Sequence, residues 1–415
     1  MKGEIIAIGN ELVSGRIQDT NTFFLAKELA RYGFEVRSIK IIPDQEHLII
    51  ESLIEASKRS AFAIVTGGLG PTEDDLTAKA ASKAFNLPLK RDPVSWEILK
   101  AYVEEHHLEM RENVAKMADL PEGAVKLDTK TPRAGFFLEF NKCIFYFLPG
   151  IPSETKDLFR KVVLNDLLER IKDRPFVLTK VVKIFGLRES EIENRISDLI
   201  PKFEGLSVGY LPCFPEHHLH VTVKGTVRHL IKTVLEDFIS KVTERLGEFI
   251  YGYDDDTLES VVGHLLREKN LTLSVAESCT GGLIGHRITN VSGSSDYFKL
   301  GVVVYSNKAK SQVLNVGEDM LARYGAVSEL VARAMGESVK RLGKTDYGIA
   351  TTGIAGPTGG TPEKPVGTVY ICVSSPGGTH VEHHLFKGNR LEIKTMTSQV
   401  ALDSLRRSLL KMGKT

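Results

Sequence analysis

Short apolar runs that break on a glycine-rich or polar turn and then pass into helical spacing recur along this chain, and they limit its architecture more than any other feature. Phe62-Ala-Ile-Val65 runs into Thr66-Gly67-Gly68-Leu69-Gly70-Pro71, and Tyr347-Gly-Ile-Ala350 runs into Thr351-Thr352-Gly353-Ile354-Ala355-Gly356. A short apolar run without alternation suits a strand buried on both faces. Glu4–Ile8 and Phe34–Ile42 read as further strands, with helical spacing over Thr22–Tyr32 and Glu46–Ser60. That βαβαβ order predicts a parallel sheet with helices on both faces.

The pattern changes near residue 170. Strands over Val177–Phe185, Leu206–Tyr210 and His217–Val223, with helices over Glu189–Ile200 and His229–Leu246, suggest a small α+β module. Tyr251-Gly-Tyr-Asp-Asp-Asp256 reads as a polar linker, after which the alternation resumes. The expected fold class is α/β: two α/β domains with mainly parallel sheets, over 1–168 and 251–415, joined by an α+β module over 169–250.

Composition excludes several function classes. With 415 residues, 42% of them hydrophobic and 26% charged, the chain has the makeup of ordinary globular domains. Glu4, Asn10 and Glu11 interrupt the N-terminal apolar segment, so neither a signal peptide nor a membrane span is expected, and a cytoplasmic location is. Cys143, Cys213, Cys279 and Cys372 are widely spaced, which argues against a zinc cluster or a disulfide framework. Basic and acidic residues number 54 and 53, so no direct nucleic-acid binding is expected. His217, His218 and His220 lie beside Pro212 and Pro215 and read as an exposed strand edge rather than a metal site.

Chemistry is expected where strands end, because ligands of open α/β sheets bind beyond the carboxyl ends of their strands. Leu271–Ala276 passes into Glu277-Ser278-Cys279-Thr280-Gly281-Gly282, placing a hydroxyl and a thiol beside backbone N–H groups at a helix start. The competing reading is a helix cap by Ser278 or Thr280. The strand near Gly301 ends in Tyr305-Ser306-Asn307-Lys308-Ala309-Lys310, and the turn Gly353–Gly356 supplies a third strand end.

In the N-terminal half, Gly67, Gly68 and Gly70 can turn N–H groups towards a phosphate, with Thr72 beside them. Asp74 and Asp75 add oxygen ligands for a hard divalent cation, Glu11 at a neighbouring strand end could share it, and Glu154 is a further candidate. A tight turn with an acidic helix cap is the alternative.

Together these segments resemble the CinA family of competence/damage-inducible proteins along essentially the whole chain. The N-terminal half is similar to the molybdopterin-binding fold through Gly67–Asp75 and Pro149-Gly150-Ile151-Pro152-Ser153-Glu154. The C-terminal domain resembles nicotinamide-nucleotide amidase through Ala276–Gly282, Tyr305-Ser306-Asn307 with Lys310, Gly353–Pro357 and Lys364-Pro365-Val366-Gly367-Thr368. The middle segment is similar in placement to a KH-like module. The resemblance implies a two-headed pyridine-nucleotide salvage enzyme: nicotinamide mononucleotide is deamidated to its acid, and ADP-ribose is cleaved to AMP and ribose 5-phosphate with a divalent metal. The amidase half needs no cofactor, and a homodimer is expected. One departure stands out. Where the family has a Gly-Thr-Ala-Pro-Gly-Phe-like loop, this chain reads Thr131-Pro132-Arg133-Ala134-Gly135-Phe136, which implies an altered or idle pyrophosphatase half.

The resemblance supports Ser278 as nucleophile, Lys310 as base and Tyr305 as proton relay or amide-orienting group. A serine needs such a base, and a desolvated lysine can act as one. Cys279 is the rival nucleophile. Thr280 and Gly281 are expected to lend N–H groups to an oxyanion. Asn307 is a binding candidate, and Gly353, Ile354, Ala355 and Gly356 with Arg390 are expected to meet the substrate phosphate. The competing functions are a competence-linked binding or scaffold protein, and molybdopterin-type nucleotide transfer by the N-terminal half.

Overall fold

A computed structural model describes residues 2–128 and 135–412. By its contacts the chain divides into two units, 1–178 with 223–233, and 179–222 with 234–415.

The first unit is built on strands Lys2–Ile8 (β1), Glu35–Ile42 (β2) and Phe62–Thr66 (β3), a separate ribbon of Leu89–Arg91 (β4) and Asp119–Pro121 (β5), and strands Val125–Lys126 (β6), Phe136–Phe140 (β7) and Cys143–Leu148 (β8). The main sheet runs β2-β1-β3-β8-β7-β6; the pairs from β2 to β8 are parallel, and β7 and β6 are antiparallel additions. Alternate side chains of its central strands enter two different cores. Ile5, Phe62, Ile64 and Tyr146 pack on one face, and Ile6, Ala63, Val65, Phe145 and Phe147 on the other. Burial on both faces is why these strands read as unbroken apolar runs. Gly135 precedes β7 where an added Cβ would stand 1.7 Å from the Phe147 carbonyl oxygen, so close packing of the backbone demands glycine there. The rest of the loop expected to alter the pyrophosphatase half, Thr131–Ala134, lies outside the described residues.

A four-stranded sheet, most of its residues in the second unit, has the order Leu206–Cys213 (β10), Glu216–Gly225 (β11), Phe176–Ile184 (β9), Ile250–Tyr253 (β12). Two expectations are corrected here. Tyr251–Tyr253 is no linker but a strand paired antiparallel with β9, and Tyr251, 5% exposed, donates from its hydroxyl to Glu216 Oε1 at 2.7 Å. His218 and His220 sit on an interior strand rather than an edge, with His218 Nε2 2.7 Å from Glu216 Oε1.

A five-stranded sheet follows, in the order Phe298–Val303 (β14), Leu273–Glu277 (β13), Tyr347–Gly353 (β15), Thr368–Ser375 (β16), Gly378–Leu385 (β17). The first three strands are parallel; β16 and β17 continue the sheet antiparallel. Register sets Glu277 opposite both Val303 and Thr351, so β13, β14 and β15 end level with one another. Three loops therefore leave the sheet at one height. Among the described residues no helix is long and apolar enough to cross a membrane.

Candidate functional site

At the level end of β13, β14 and β15 lies a cavity of about 320 Å³ whose wall includes Ser278, Cys279, Tyr305, Lys310, Gly353–Gly356 and Arg390. Ser278 leaves β13 with its N–H bonded to the Thr351 carbonyl at 3.0 Å, which fixes the turn against β15. Lys310 lies in the first turns of the helix Asn307–Leu314, which Ser306 caps through a 3.1 Å bond from the Ala309 N–H. Long side chains on a helix lean towards its N-terminus, and Lys310 accordingly reaches back under the residues that precede the helix.

Lys310 Nζ stands 2.9 Å from Ser278 Oγ, 2.9 Å from the Val304 carbonyl oxygen and 3.3 Å from that of Tyr305. The side chain is 1% exposed, and burial lowers its pKa from the ordinary lysine value. Two carbonyl oxygens can only accept, so once the amine is neutral they would take its two N–H bonds and leave its lone pair for the Ser278 hydroxyl. This is the hydrogen-bond pattern of a base poised on a nucleophile.

Cys279 is 6% exposed, and burial pushes its thiol pKa up to about 12. It stays protonated near neutrality, which removes the main advantage of a thiol over a hydroxyl. Tyr305 is 61% exposed at the mouth, and its hydroxyl accepts from Arg390 Nη2 at 2.9 Å. Arg390 Nη1 donates to the Gly356 carbonyl at 2.6 Å. The expected phosphate donor is thus also a bracket between Tyr305 and the Gly356 turn.

The expected oxyanion donors need correction. Gly281 spends its N–H on the Ser278 carbonyl at 3.2 Å. The N–H groups of Gly282, Ile284 and Gly285, at the start of the helix Leu283–Thr289, go to the Glu277 carboxylate at 2.9, 3.1 and 2.8 Å. Thr280 turns its hydroxyl to Thr351 Oγ1 at 2.8 Å and, like Gly281 and Asn307, lies off the cavity wall. The Ile354 N–H is held by the Thr368 carbonyl at 2.9 Å.

In the first unit, the ends of β1, β3 and β8 border a cavity of about 500 Å³. Glu11, Gly67, Gly68, Gly70, Asp74, Asp75 and Glu154 all line it; Thr72 does not. Thr72 instead donates to Asp75 Oδ2 from its N–H at 2.9 Å and its hydroxyl at 2.6 Å, which orients that carboxylate. Gly67 has φ +103, and an added Cβ would stand 2.2 Å from the Ile8 carbonyl oxygen; its N–H bonds to Leu148 at 3.1 Å. This glycine lets strand ends crowd together, and its N–H is not free for a phosphate. Among the described residues no three His, Cys, Asp or Glu side chains converge into a metal-holding group.

Comparison with known proteins agrees with this layout. The family model described as CinA C-terminal domain matches residues 255–409, the damage-inducible protein CinA KH domain matches 179–252, and a probable molybdopterin binding domain matches 4–169. A CinA-like protein of Syntrophus aciditrophicus is 40% identical over 412 residues, 99% of this chain and 98% of that one. A putative competence-damage inducible protein of Moorella thermoacetica is 41% identical over 414 residues, 99% of each. The chain belongs to the CinA family. Among solved structures, the competence/damage inducible protein CihA from Agrobacterium tumefaciens is 36% identical, covering 37% of this chain and 93% of that one, with a TM-score of 0.36.

Sequence reasoning about this CinA-family chain missed two acids. Asp44 lines the first cavity just past the end of β2, a position the strand-end rule would have found. Its carboxyl is pushed up by burial and by the charges of Glu11, Asp74 and Asp75. Glu277 was read only as part of a motif. A helix is usually capped by the residue just before it, and this carboxylate reaches over from the strand instead.

Proposed function

We propose that the CinA C-terminal domain of this chain hydrolyses the carboxamide of nicotinamide mononucleotide, giving nicotinate mononucleotide and ammonia. The observation that carries this reading is the placement of the Lys310 amine, bonded to two carbonyls and to Ser278 Oγ. In the reaction, Lys310 takes the hydroxyl proton as Oγ adds to the carboxamide carbon. The resulting ammonium gives that proton to the leaving nitrogen, and ammonia departs. Water then attacks the acyl ester, losing a proton to Lys310, which returns it to Ser278 as the acid is released. Tyr305, held by Arg390, orients the amide at the mouth.

For the first unit we propose metal-dependent cleavage of ADP-ribose to AMP and ribose 5-phosphate. Its support is the raised pKa of Asp44, a sign of crowded negative charge that a divalent cation would relieve. Glu11, Asp44, Asp74, Asp75 and Glu154 fit a hard cation shared with substrate phosphate oxygens rather than an all-protein cage. When bound, the ion supplies charge neutralisation of the pyrophosphate. The match to a probable molybdopterin binding domain supports nucleotide transfer as a second reading. Purified protein incubated with each substrate, with and without divalent ions, tests both halves. Ammonia from nicotinamide mononucleotide and metal-dependent AMP from ADP-ribose are expected; AMP absent while ammonia appears would favour the transfer reading.

A further inference from the structure

The N–H groups at the two helix starts beside the Ser278 turn and at Arg390, which would ordinarily attract an anion, are occupied by the chain's own side chains. Glu277 takes the N–H groups of Gly282, Ile284 and Gly285. Asn389 caps the helix Arg390–Lys411 by accepting from Leu391 and Glu392 at 2.9 and 3.1 Å. A helix N-terminus satisfied in this way has little left for a phosphate. With the helix starts satisfied, side-chain cations are the strong partners left for a phosphorylated substrate. Arg390 is one, yet two of its nitrogens are aimed at Gly356 and Tyr305.

Lys394 stands one turn further along the same helix face. It is half-buried, and among the described residues no hydrogen bond or ion pair engages it. Lys394 lies off the cavity wall itself, but its Nζ borders the turn that carries the nucleophile: a Cβ built on Gly281 would lie 3.6 Å from it. Gly281, at φ +62, belongs to the turn that carries Ser278. An unpaired amine is thus kept against the nucleophile's own turn, one helical turn from Arg390 on the cavity wall.

We propose that Lys394 is the phosphate-binding cation of this site, pairing with the 5′-phosphate of a nucleoside monophosphate and so selecting nucleotides over nucleosides. Arg390 holds Tyr305 and the Gly356 turn. This proposal rests on the amidase reading. The test is the ratio of kcat/KM for nicotinamide mononucleotide over its dephosphorylated riboside. The ratio does not depend on how much of a variant is folded. Lys394→Met is expected to lower it about tenfold or more, the worth of a charge-assisted contact, and Lys394→Arg to restore most of it. A wild-type preference for the nucleotide that survives Lys394→Met overturns this proposal alone. Wild-type protein that releases ammonia from neither substrate removes the amidase reading together with it.

Discussion

The Lys310 amine and the Ser278 hydroxyl, 32 residues apart in sequence, lie 2.9 Å apart in the interior of the second unit. Neither group is reactive alone, since a serine hydroxyl holds its proton and an exposed lysine is charged. Their contact accounts for reactivity only if the amine is neutral.

Lys310→Met keeps the length of the side chain and removes the buried amine. Loss of a general base should lower ammonia release by about 10²- to 10⁴-fold. Stability should hold or rise, because burial disfavours the charged form of this amine and an apolar group of similar volume carries no such cost. A thermal melt beside the rate assay checks both.

Activity should rise with pH, with a midpoint below the ordinary lysine value of about 10.4, because burial disfavours the charged amine. Between the lowered and the ordinary value the folded chain binds fewer protons than the unfolded one, so stability is gained as pH rises and lost as it falls through the folded pKa. The stability advantage of Lys310→Met over wild type should therefore shrink as pH rises through that window. A midpoint at or above the ordinary lysine value would contradict the base assignment.

Tyr305→Phe removes a hydroxyl at an exposed position and leaves the backbone carbonyl that accepts from Lys310. Ammonia release should fall about 10- to 100-fold with stability changed by less than about 0.5 kcal/mol. Steady-state kinetics with a urea titration decide it.

Glu277→Ala leaves three backbone N–H groups of the nucleophile's turn and helix without their carboxylate. A loss of about 2 kcal/mol or more is expected, since hydrogen bonds to a buried charged group are among the stronger ones. The urea midpoint measures it, and an unchanged midpoint would mean the cap contributes little.

Asp75→Asn should abolish metal-dependent AMP release from ADP-ribose while ammonia release from nicotinamide mononucleotide continues, because the two sites lie in different units. Product analysis of one reaction mixture reads both.

Legibility of this structure in its sequence followed strand ends. Ser278 and Asp75 lie where apolar runs announce strands and α/β sheets place ligands beyond them, whereas Lys310 stands out through the family resemblance and not through the strand-end rule. Direction was less visible: an apolar run such as Val369–Val373 looks alike in a parallel or antiparallel strand, so the antiparallel half of the last sheet was not foreseen. Tyr251–Tyr253 was hidden by the acidic residues after it, and its burial depends on Glu216, 35 positions away. The N–H group of Gly281 looked available because nothing local marks the Ser278 carbonyl as its acceptor.

The most direct test compares ammonia release from nicotinamide mononucleotide by wild type, Ser278→Ala and Cys279→Ala. Loss of at least about 10³-fold in Ser278→Ala, with Cys279→Ala keeping most of the rate, is the predicted result. Turnover that survives Ser278→Ala and disappears in Cys279→Ala would contradict the account.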